Sequence, residues 1–188
     1  FGVTFSLLSP EIITNPIAMS RDGKYLFGAN IHYDSFFISS DYLETFTQIP
    51  SLSETFQCIC SSTGKYVFAK NSGNDNSIIV SNDYGSTWFN ALDYNSSIIL
   101  VSDLCAAISD DGSLMVCFAN ESLGELLFST DFGFTWQKLN QDLLNYTLTK
   151  IIISHDSSSF FLIAGEDAPL LLVDFQTQNA FSFGLGFS

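Results

Sequence analysis

One eight-residue sequence recurs along this chain, and it constrains the fold more than any other feature. It reads SNDYGSTW at 81–88 and STDFGFTW at 129–136, with a looser copy, SSDYLETF, at 39–46. A second signature precedes each copy and also occurs once more near the end of the chain. Its aligned serines are 41, 48 and 45 residues apart: Ser20, Ser61, Ser109 and Ser154. Periods of this size are typical of chains built from repeated structural units.

The spacing inside each unit is nearly constant. The aspartate of the recurring sequence follows the aligned serine by 21 residues in the first unit and by 22 in the next two. Apolar and β-branched runs alternate with polar turns, and no helical periodicity is evident. Four short strands in about 45 residues form one blade of a β-propeller. We therefore expect an all-β chain with about four blades, each a four-stranded antiparallel sheet, in preference to a β-sandwich.

The repeat also predicts the boundaries of a single domain over 1–188. Its blades are expected at 11–53, 54–98, 99–147 and 148–188. Residues 1–10 resemble the end of another unit, so they are expected to form an outer strand of a preceding or closing blade. This leaves one strand too many. The chain is part of a larger propeller, closes with one terminal strand displaced, or donates a strand to another copy.

The recurring sequence resembles the Asp box, S-x-D-x-G-x-T-W, of the sialidase-type and sortilin-type β-propellers. The motif is complete at the second and third copies, partial at the first, where Leu43 replaces glycine, and degenerate in the fourth unit. In that family the boxes lie at the outer edge of the propeller, so the resemblance implies a fold and no activity. The residues expected to form the corners are Asp41, Asp83, Gly85, Thr87, Trp88, Asp131, Gly133, Thr135 and Trp136.

Each residue type has a physical reason to occur at such a corner. A tight turn between the third and fourth strands leaves backbone N–H groups without partners, and an aspartate can accept from them. The glycine permits a positive φ, and the threonine hydroxyl can close the turn. The tryptophan is expected to bury its ring between neighbouring blades.

The charge of the chain excludes two classes of partner. Twenty acidic residues face six Lys and Arg, which gives a formal net charge of -14, and the cations are scattered along the sequence. Binding to nucleic acid or to an anionic membrane surface needs a basic patch. No apolar run approaches the roughly 20 residues of a membrane-spanning helix. The chain opens on Phe1 rather than Met, so we expect an upstream part to be missing from this sequence.

Glycosylation sequons suggest an extracellular location, whereas the cysteines leave two alternatives open. Cys105 and Cys117 flank a polar turn almost symmetrically, which makes a disulfide between them as plausible as two free buried thiols. Three N-x-S/T sequons occur, and short sequons also arise by chance. The candidate glycosylation sites are Asn95, Asn120 and Asn145.

The sequence contains no recognisable catalytic constellation. A sialidase clamps its substrate carboxylate with three arginines, and this chain has one, Arg21. Asp22, Asp111 and Asp156 occupy equivalent turn positions, where turn formation explains them better than catalysis. We therefore expect no catalytic residue, no metal site and no cofactor.

These observations favour a non-enzymatic structural or adhesive propeller at the cell surface or outside the cell. A positive mean hydropathy of +0.25 in an acidic chain indicates apolar contact surface. The expected partners are copies of the chain itself, other extracellular proteins or glycans. Apolar termini are consistent with self-assembly into a polymer through exchanged terminal strands. The alternative is a carbohydrate-binding propeller or a fragment of a glycoside hydrolase.

Overall fold

A computed structural model of the chain shows strands and turns throughout its described part. It contains sixteen strands in four sheets, and no helix that could span a bilayer occurs within that part. The described residues are 15–30, 35–50, 52, 57–71, 76–93, 95–101, 104–119, 125–139, 148–154, 157, 159–164, 170–174, 177 and 180–183.

Each sheet is formed by four consecutive antiparallel strands that pair in chain order. The first contains β1 (Asn15–Met19), β2 (Leu26–Asn30), β3 (Ser35–Ser39) and β4 (Thr47–Ile49). The second contains β5 (Gln57–Cys60), β6 (Val67–Asn71), β7 (Ser77–Ser81) and β8 (Phe89–Asn90). The third contains β9 (Ala106–Ile108), β10 (Met115–Ala119), β11 (Glu125–Ser129) and β12 (Gln137–Lys138). The fourth contains β13 (Leu148–Ile153), β14 (Ser159–Ala164), β15 (Leu170–Asp174) and β16 (Ala180–Phe183).

The four sheets confirm the predicted all-β fold class of four-stranded antiparallel sheets. Each sheet lies inside one of the four sequence ranges expected to hold a blade. The predicted extra strand over 1–10 lies outside the described residues, as do Asn120 and Asn145.

Burial within a sheet follows the strand order. The central strands β2, β6 and β7 are buried at every position, whereas β4 and β12 at the outer edge are largely exposed. A strand covered on both faces needs apolar residues on both, which explains continuous runs such as SIIVS at 77–81. The apolar pattern therefore indicates sheets stacked face to face with one another.

The core lies in the junctions between successive sheets. The first strands of the sheets, β1, β5, β9 and β13, contact one another in that order. Trp88 of the second sheet meets Phe36 of the first edge to face, with ring centroids 6.0 Å apart. Trp136 of the third sheet packs on Phe68 of the second, with ring centroids 5.4 Å apart. Each corner tryptophan thus anchors its own sheet on the preceding one.

Of the two alternatives for Cys105 and Cys117, a disulfide or free buried thiols, the structure has the second, and all four cysteines are free. Cys117 lies directly opposite Ala106 in the ladder, so Cys105 is one residue away from the position opposite Cys117. Side chains alternate faces along a strand, and an offset of one residue therefore sends the two thiols to opposite sides of the sheet. Cys105 packs with Val116, and Cys117 packs in the junction with the second sheet. Burial raises the pKa of the Cys105 thiol to about 11, which leaves it protonated and unreactive at neutral pH.

The junction packing predicts that two aromatic side chains of the same corner differ in their contribution to stability. Trp136 is 1% exposed and Phe134 is 57% exposed. Trp136→Ala is expected to lower the free energy of unfolding by about 3–5 kcal/mol, because it opens a cavity in the junction. Phe134→Ala removes only a surface ring stacked on Phe89 and is expected to cost about 1 kcal/mol. Urea denaturation measures both, and equal losses would contradict the assigned packing.

Candidate functional site

The three aspartate corners share one hydrogen-bond pattern. At the second corner Asp83 accepts from the Ser81 hydroxyl at 2.9 Å, from the Thr87 backbone N–H at 2.8 Å and from the Thr87 hydroxyl at 2.6 Å. At the third corner Asp131 accepts the equivalent three bonds at 2.8, 2.8 and 2.6 Å. At the first corner Asp41 accepts them at 2.9, 2.9 and 2.5 Å. One carboxylate therefore closes each turn between the third and fourth strands.

The serine and the tryptophan complete the corner. The Gly85 N–H donates to the Ser81 hydroxyl at 2.8 Å, and the Trp88 indole N–H donates to the Gly85 carbonyl at 2.9 Å. These bonds satisfy turn groups that have no partner in the strand ladder. The same two bonds occur around Gly133. Sequence reasoning identified the roles of aspartate, glycine and threonine but missed those of Ser81 and Ser129.

The first corner forms without its glycine. Leu43 has a φ of 73°, close to the 82° of Gly85, and its N–H donates to the Ser39 hydroxyl at 3.0 Å. The glycines are needed elsewhere for a second reason, which is close approach. A Cβ on Gly133 would lie 2.9 Å from the Val80 side chain of the preceding sheet, and one on Gly85 would overlap Ile38. Glycine is therefore required at Gly85 and Gly133 because the corner lies against the preceding sheet.

A second row of turns joins the first and second strands of each sheet. Asp22 accepts from the Ser20 hydroxyl at 2.7 Å and from the Lys24 N–H at 3.0 Å. Backbone bonds then link successive sheets, since Arg21 N–H donates to the Ser62 carbonyl and Ser62 N–H to the Asp110 carbonyl. No sequence pattern predicts these bonds, because they depend on how the sheets lie side by side.

The carboxyl groups of both rows have pKa values below their usual range. Hydrogen bonds from Lys24 and Ser20 lower the pKa of Asp22, and those from Thr45 lower the pKa of Asp41. At Asp83 and Asp131 burial alone raises the pKa, but hydrogen bonds from threonine and serine outweigh it and the net shift is downward. These groups are therefore firmly ionised acceptors at neutral pH.

An open groove lies beside the turns of the first two sheets. Its volume is about 460 Å³, and the Tyr25 and Tyr84 rings that border it stack with centroids 4.5 Å apart. The groove offers two cations, aromatic surface and hydroxyl groups to a polar ligand. It is lined by Arg21, Asp22, Lys24, Tyr25, Ser62, Thr63 and Tyr84. No group of three metal-ligating side chains occurs among the residues that the structure describes.

Asn95, one of the three candidate glycosylation sites, lies in an exposed turn. The Asp93 carboxylate accepts from the Asn95 and Ser97 N–H groups at 2.8 Å each, and Leu92 pairs with Ile98 across the turn. The side chain of Asn95 is therefore presented at the tip of a short ordered hairpin.

The corner carboxylates predict a defined dependence of stability on pH. A carboxyl whose pKa is lower in the folded chain stabilises it above the unfolded value, which is 3.8 for aspartate, and this contribution is lost as pH falls through the folded value. Asp131→Asn is expected to destabilise the chain at about pH 6 and to lose that effect progressively as pH falls below 3.8. Denaturation across that pH range tests this, with the exposed Glu44→Gln as a charge-matched control. A deficit of Asp131→Asn that stays constant with pH would contradict it.

The corner glycines predict opposite effects at two equivalent positions. Gly133→Ala forces a Cβ against Val80 and a left-handed backbone on alanine, so it is expected to cost more than the about 1–2 kcal/mol of the backbone term. Leu43→Gly relieves that backbone term, and it is expected not to destabilise the chain. Thermal unfolding of both variants measures the difference, and a stable Gly133→Ala would overturn the close approach.

Comparison with known proteins identifies the fold and no family. No protein-family model matches the chain, and no curated protein matches its sequence. Solved structures do match. The GH74 xyloglucanase from Xanthomonas campestris aligns at 11% identity with a TM-score of 0.62, over 93% of this chain and 32% of the enzyme.

Two further solved structures have different functions. Dihydro-heme d1 dehydrogenase NirN, in complex with DHE, aligns at 14% identity and a TM-score of 0.62, over 92% of this chain and 37% of its own. YCF48, bound to D1 peptide, aligns at 13% identity and a TM-score of 0.55, over 87% of this chain and 52% of its own. The chain thus spans between 32% and 52% of the length of these three structures. At these identities the likeness concerns the fold alone, and the chain has the β-propeller fold.

Proposed function

We propose that this chain is part of an Asp-box propeller that acts outside the cell or at its surface as a non-catalytic structural or adhesive module. The hydrogen bonding of the corner carboxylates is the observation that supports the proposal. Each repeat with a corner has an aspartate that accepts hydrogen bonds from its own turn: Asp41, Asp83 and Asp131. They support the fold and are not presented to a ligand.

The direction of the pKa shifts argues against a catalytic role for these groups. Glycoside hydrolysis needs one carboxyl whose pKa is raised, so that it stays protonated and can donate to the leaving group. The pKa values of Asp22, Asp41, Asp83, Asp111 and Asp131 are all lowered. Such groups accept hydrogen bonds and do not supply protons at neutral pH.

Exposed apolar side chains support a role in contacts with other molecules. Exposed apolar surface on a folded domain commonly marks a contact site. On this chain it includes the hairpin that presents Asn95 and the stacked ring of Phe134. Among the residues that the structure describes, the exposed large apolar side chains are Met19, Tyr42, Tyr84, Leu92, Ile98, Phe134 and Ile152. We expect the partners to be copies of the chain, other extracellular proteins or glycans.

A glycan-binding function is the second candidate, and two observations favour it. A solved structure similar to this chain is a xyloglucanase, and the groove between the first two sheets combines Tyr25, Tyr84 and hydroxyl side chains. Aromatic rings and hydroxyl groups are the chemistry that sugar rings need. Hydrolysis by the whole protein would require carboxyl groups other than those of the corners.

A polysaccharide panel separates the two candidates. The structural or adhesive proposal predicts no hydrolysis of xyloglucan or other β-glucans and no retention on them that depends on the groove. Retention that Tyr84→Ala abolishes, while the matched Phe134→Ala preserves it, would favour glycan binding in the groove. Release of reducing sugar would contradict the proposal outright.

Self-assembly through the terminal strands predicts a polymer that depends on both concentration and the first residues of the chain. Removing 1–9 is expected to abolish high-mass species in analytical ultracentrifugation, because it removes the strand that the sequence predicts and that strand exchange would add to a neighbouring sheet edge. A deletion that unfolds the chain is distinguished by circular dichroism. As a control, a chain of full length with 1–9 replaced by a Gly/Ser sequence is expected to behave like the deletion, and a polymer that survives both changes would contradict strand exchange.

A further inference from the structure

The first two junctions between sheets contain the same cleft. It is formed by the glycine of the turn between the first and second strands and by the aromatic residue after the corner aspartate. In the second sheet Gly64 and Tyr84 hold the Tyr25 ring of the first sheet, with stacked centroids 4.5 Å apart. In the third sheet Gly112 and Phe132 hold the Tyr66 ring of the second, with centroids 4.6 Å apart. We call this the glycine–aromatic cleft.

Both glycines are required by the ring that they receive. A Cβ on Gly64 would lie 2.9 Å from the Cβ of Tyr25, and a Cβ on Gly112 would overlap the side chain of Tyr66. Each cleft is therefore fitted to a tyrosine that arrives from the preceding sheet.

The first sheet carries the same cleft, and no described residue fills it. Gly23 has the φ of its counterparts, yet a Cβ on it would meet nothing within 4 Å. Tyr42 has the left-handed backbone of Tyr84, but it is 62% exposed against 37%. Among the described residues no ring stacks on Tyr42. The cleft has the same glycine and aromatic residue as in the other two sheets, and none of 15–30, 35–50 or the later described ranges places a ring in it.

The surroundings of the open cleft are apolar as well. Met19 is 55% exposed, and Leu43 and Phe46 are half-buried at positions where the third sheet buries Gly133 and Trp136. This surface is the leading face of the first sheet, and it corresponds to faces that the second and third sheets cover with their predecessors.

We propose that the leading face of the first sheet docks a further propeller blade that lies outside residues 1–188 and places an aromatic ring between Gly23 and Tyr42. The ring would occur five positions after the turn serine of that blade, as Tyr25 and Tyr66 follow Ser20 and Ser61. The interface continues the one already formed twice along the chain. The inference rests on the part of the proposed function that makes the chain a portion of a propeller, and it does not depend on the structural or adhesive role.

The fourth sheet is a poor occupant, whether from the same molecule or from a second copy. Its residue at the ring position is Ser159, five after Ser154, and serine has no ring. Leu43 places a further requirement on the docking blade. In the later sheets the equivalent residue is a glycine that approaches Ile38 or Val80 of the preceding sheet closely. Since Leu43 is larger than glycine, the docking blade needs a residue smaller than Ile or Val at that position.

A fused blade tests the proposal. A copy of residues 15–56, with Ile38→Ala inside the copy, is inserted directly before Asn15 of the complete chain. The matched control is the same fusion with Tyr25→Ala inside the copy. Nitration of tyrosines, mapped by mass spectrometry, measures access to Tyr42. We expect Tyr42 to become as protected as Tyr84 in the first fusion and to remain reactive in the control.

A second measurement covers the case in which the fused blade does not fold. Asparagine tolerates a left-handed backbone, so Gly23→Asn in the unmodified chain reports mainly on free space. We expect Gly23→Asn to leave the melting temperature nearly unchanged. Gly112→Asn is expected to lower it, because the Tyr66 side chain already occupies the space beside Gly112. Equal losses would show that the cleft is already filled and would overturn the proposal.

Two other results would also overturn it. Equal nitration of Tyr42 in a folded fusion and in its control would show that the cleft does not receive the ring. Protection of Tyr42 in the unmodified chain that increases with protein concentration would identify a second copy as the occupant instead.

Discussion

Unpaired backbone N–H groups at the outer turns are the constraint on which this structure depends. Each turn between a third and a fourth strand places the threonine N–H outside the ladder, and a single aspartate accepts from it. The same carboxylate also binds a serine hydroxyl and the threonine hydroxyl, so three turn residues are fixed by one side chain. Once the turn is fixed, the aromatic residue after the threonine has a defined direction. The corner therefore sets the geometry of the junction as well as its own.

The junctions explain why the glycines and tyrosines recur with the aspartates. Trp136 packs on the preceding sheet, where Phe68 meets its ring. Gly133 lets the corner approach that same sheet. On the neighbouring turn a tyrosine fills the cleft of the next sheet. Repetition of the sequence thus encodes an interface between neighbouring sheets, and the first sheet presents the same interface with no partner among the described residues.

Much of this architecture can be predicted from the sequence because it depends on local rules. Turn residues at fixed spacing locate the strands, and the aspartate and glycine of SNDYGSTW predict a turn that needs an acceptor and a positive φ. What depends on how sheets lie against each other is not local. The backbone bond from Arg21 to Ser62 is one example. The tolerance of Leu43 in a glycine position is another, because it depends on what packs against the corner.

The cysteines show where symmetry in the sequence misleads. Cys105 and Cys117 are placed almost evenly about a turn, yet a β-ladder distinguishes residues that are directly opposite from those one step away. The observed register pairs Cys117 with Ala106. Register in a hairpin is set by the turn and by which face is buried, and neither can be counted from the spacing of two residues alone.

Amide hydrogen exchange tests directly whether the corner carboxylates hold the outer turns. The N–H groups of Thr45, Thr87 and Thr135 belong to exposed residues outside the strands, and each donates to an aspartate. We expect these amides to exchange as slowly as those of the adjacent strands. Exchange at the rate of unstructured turn amides would contradict it.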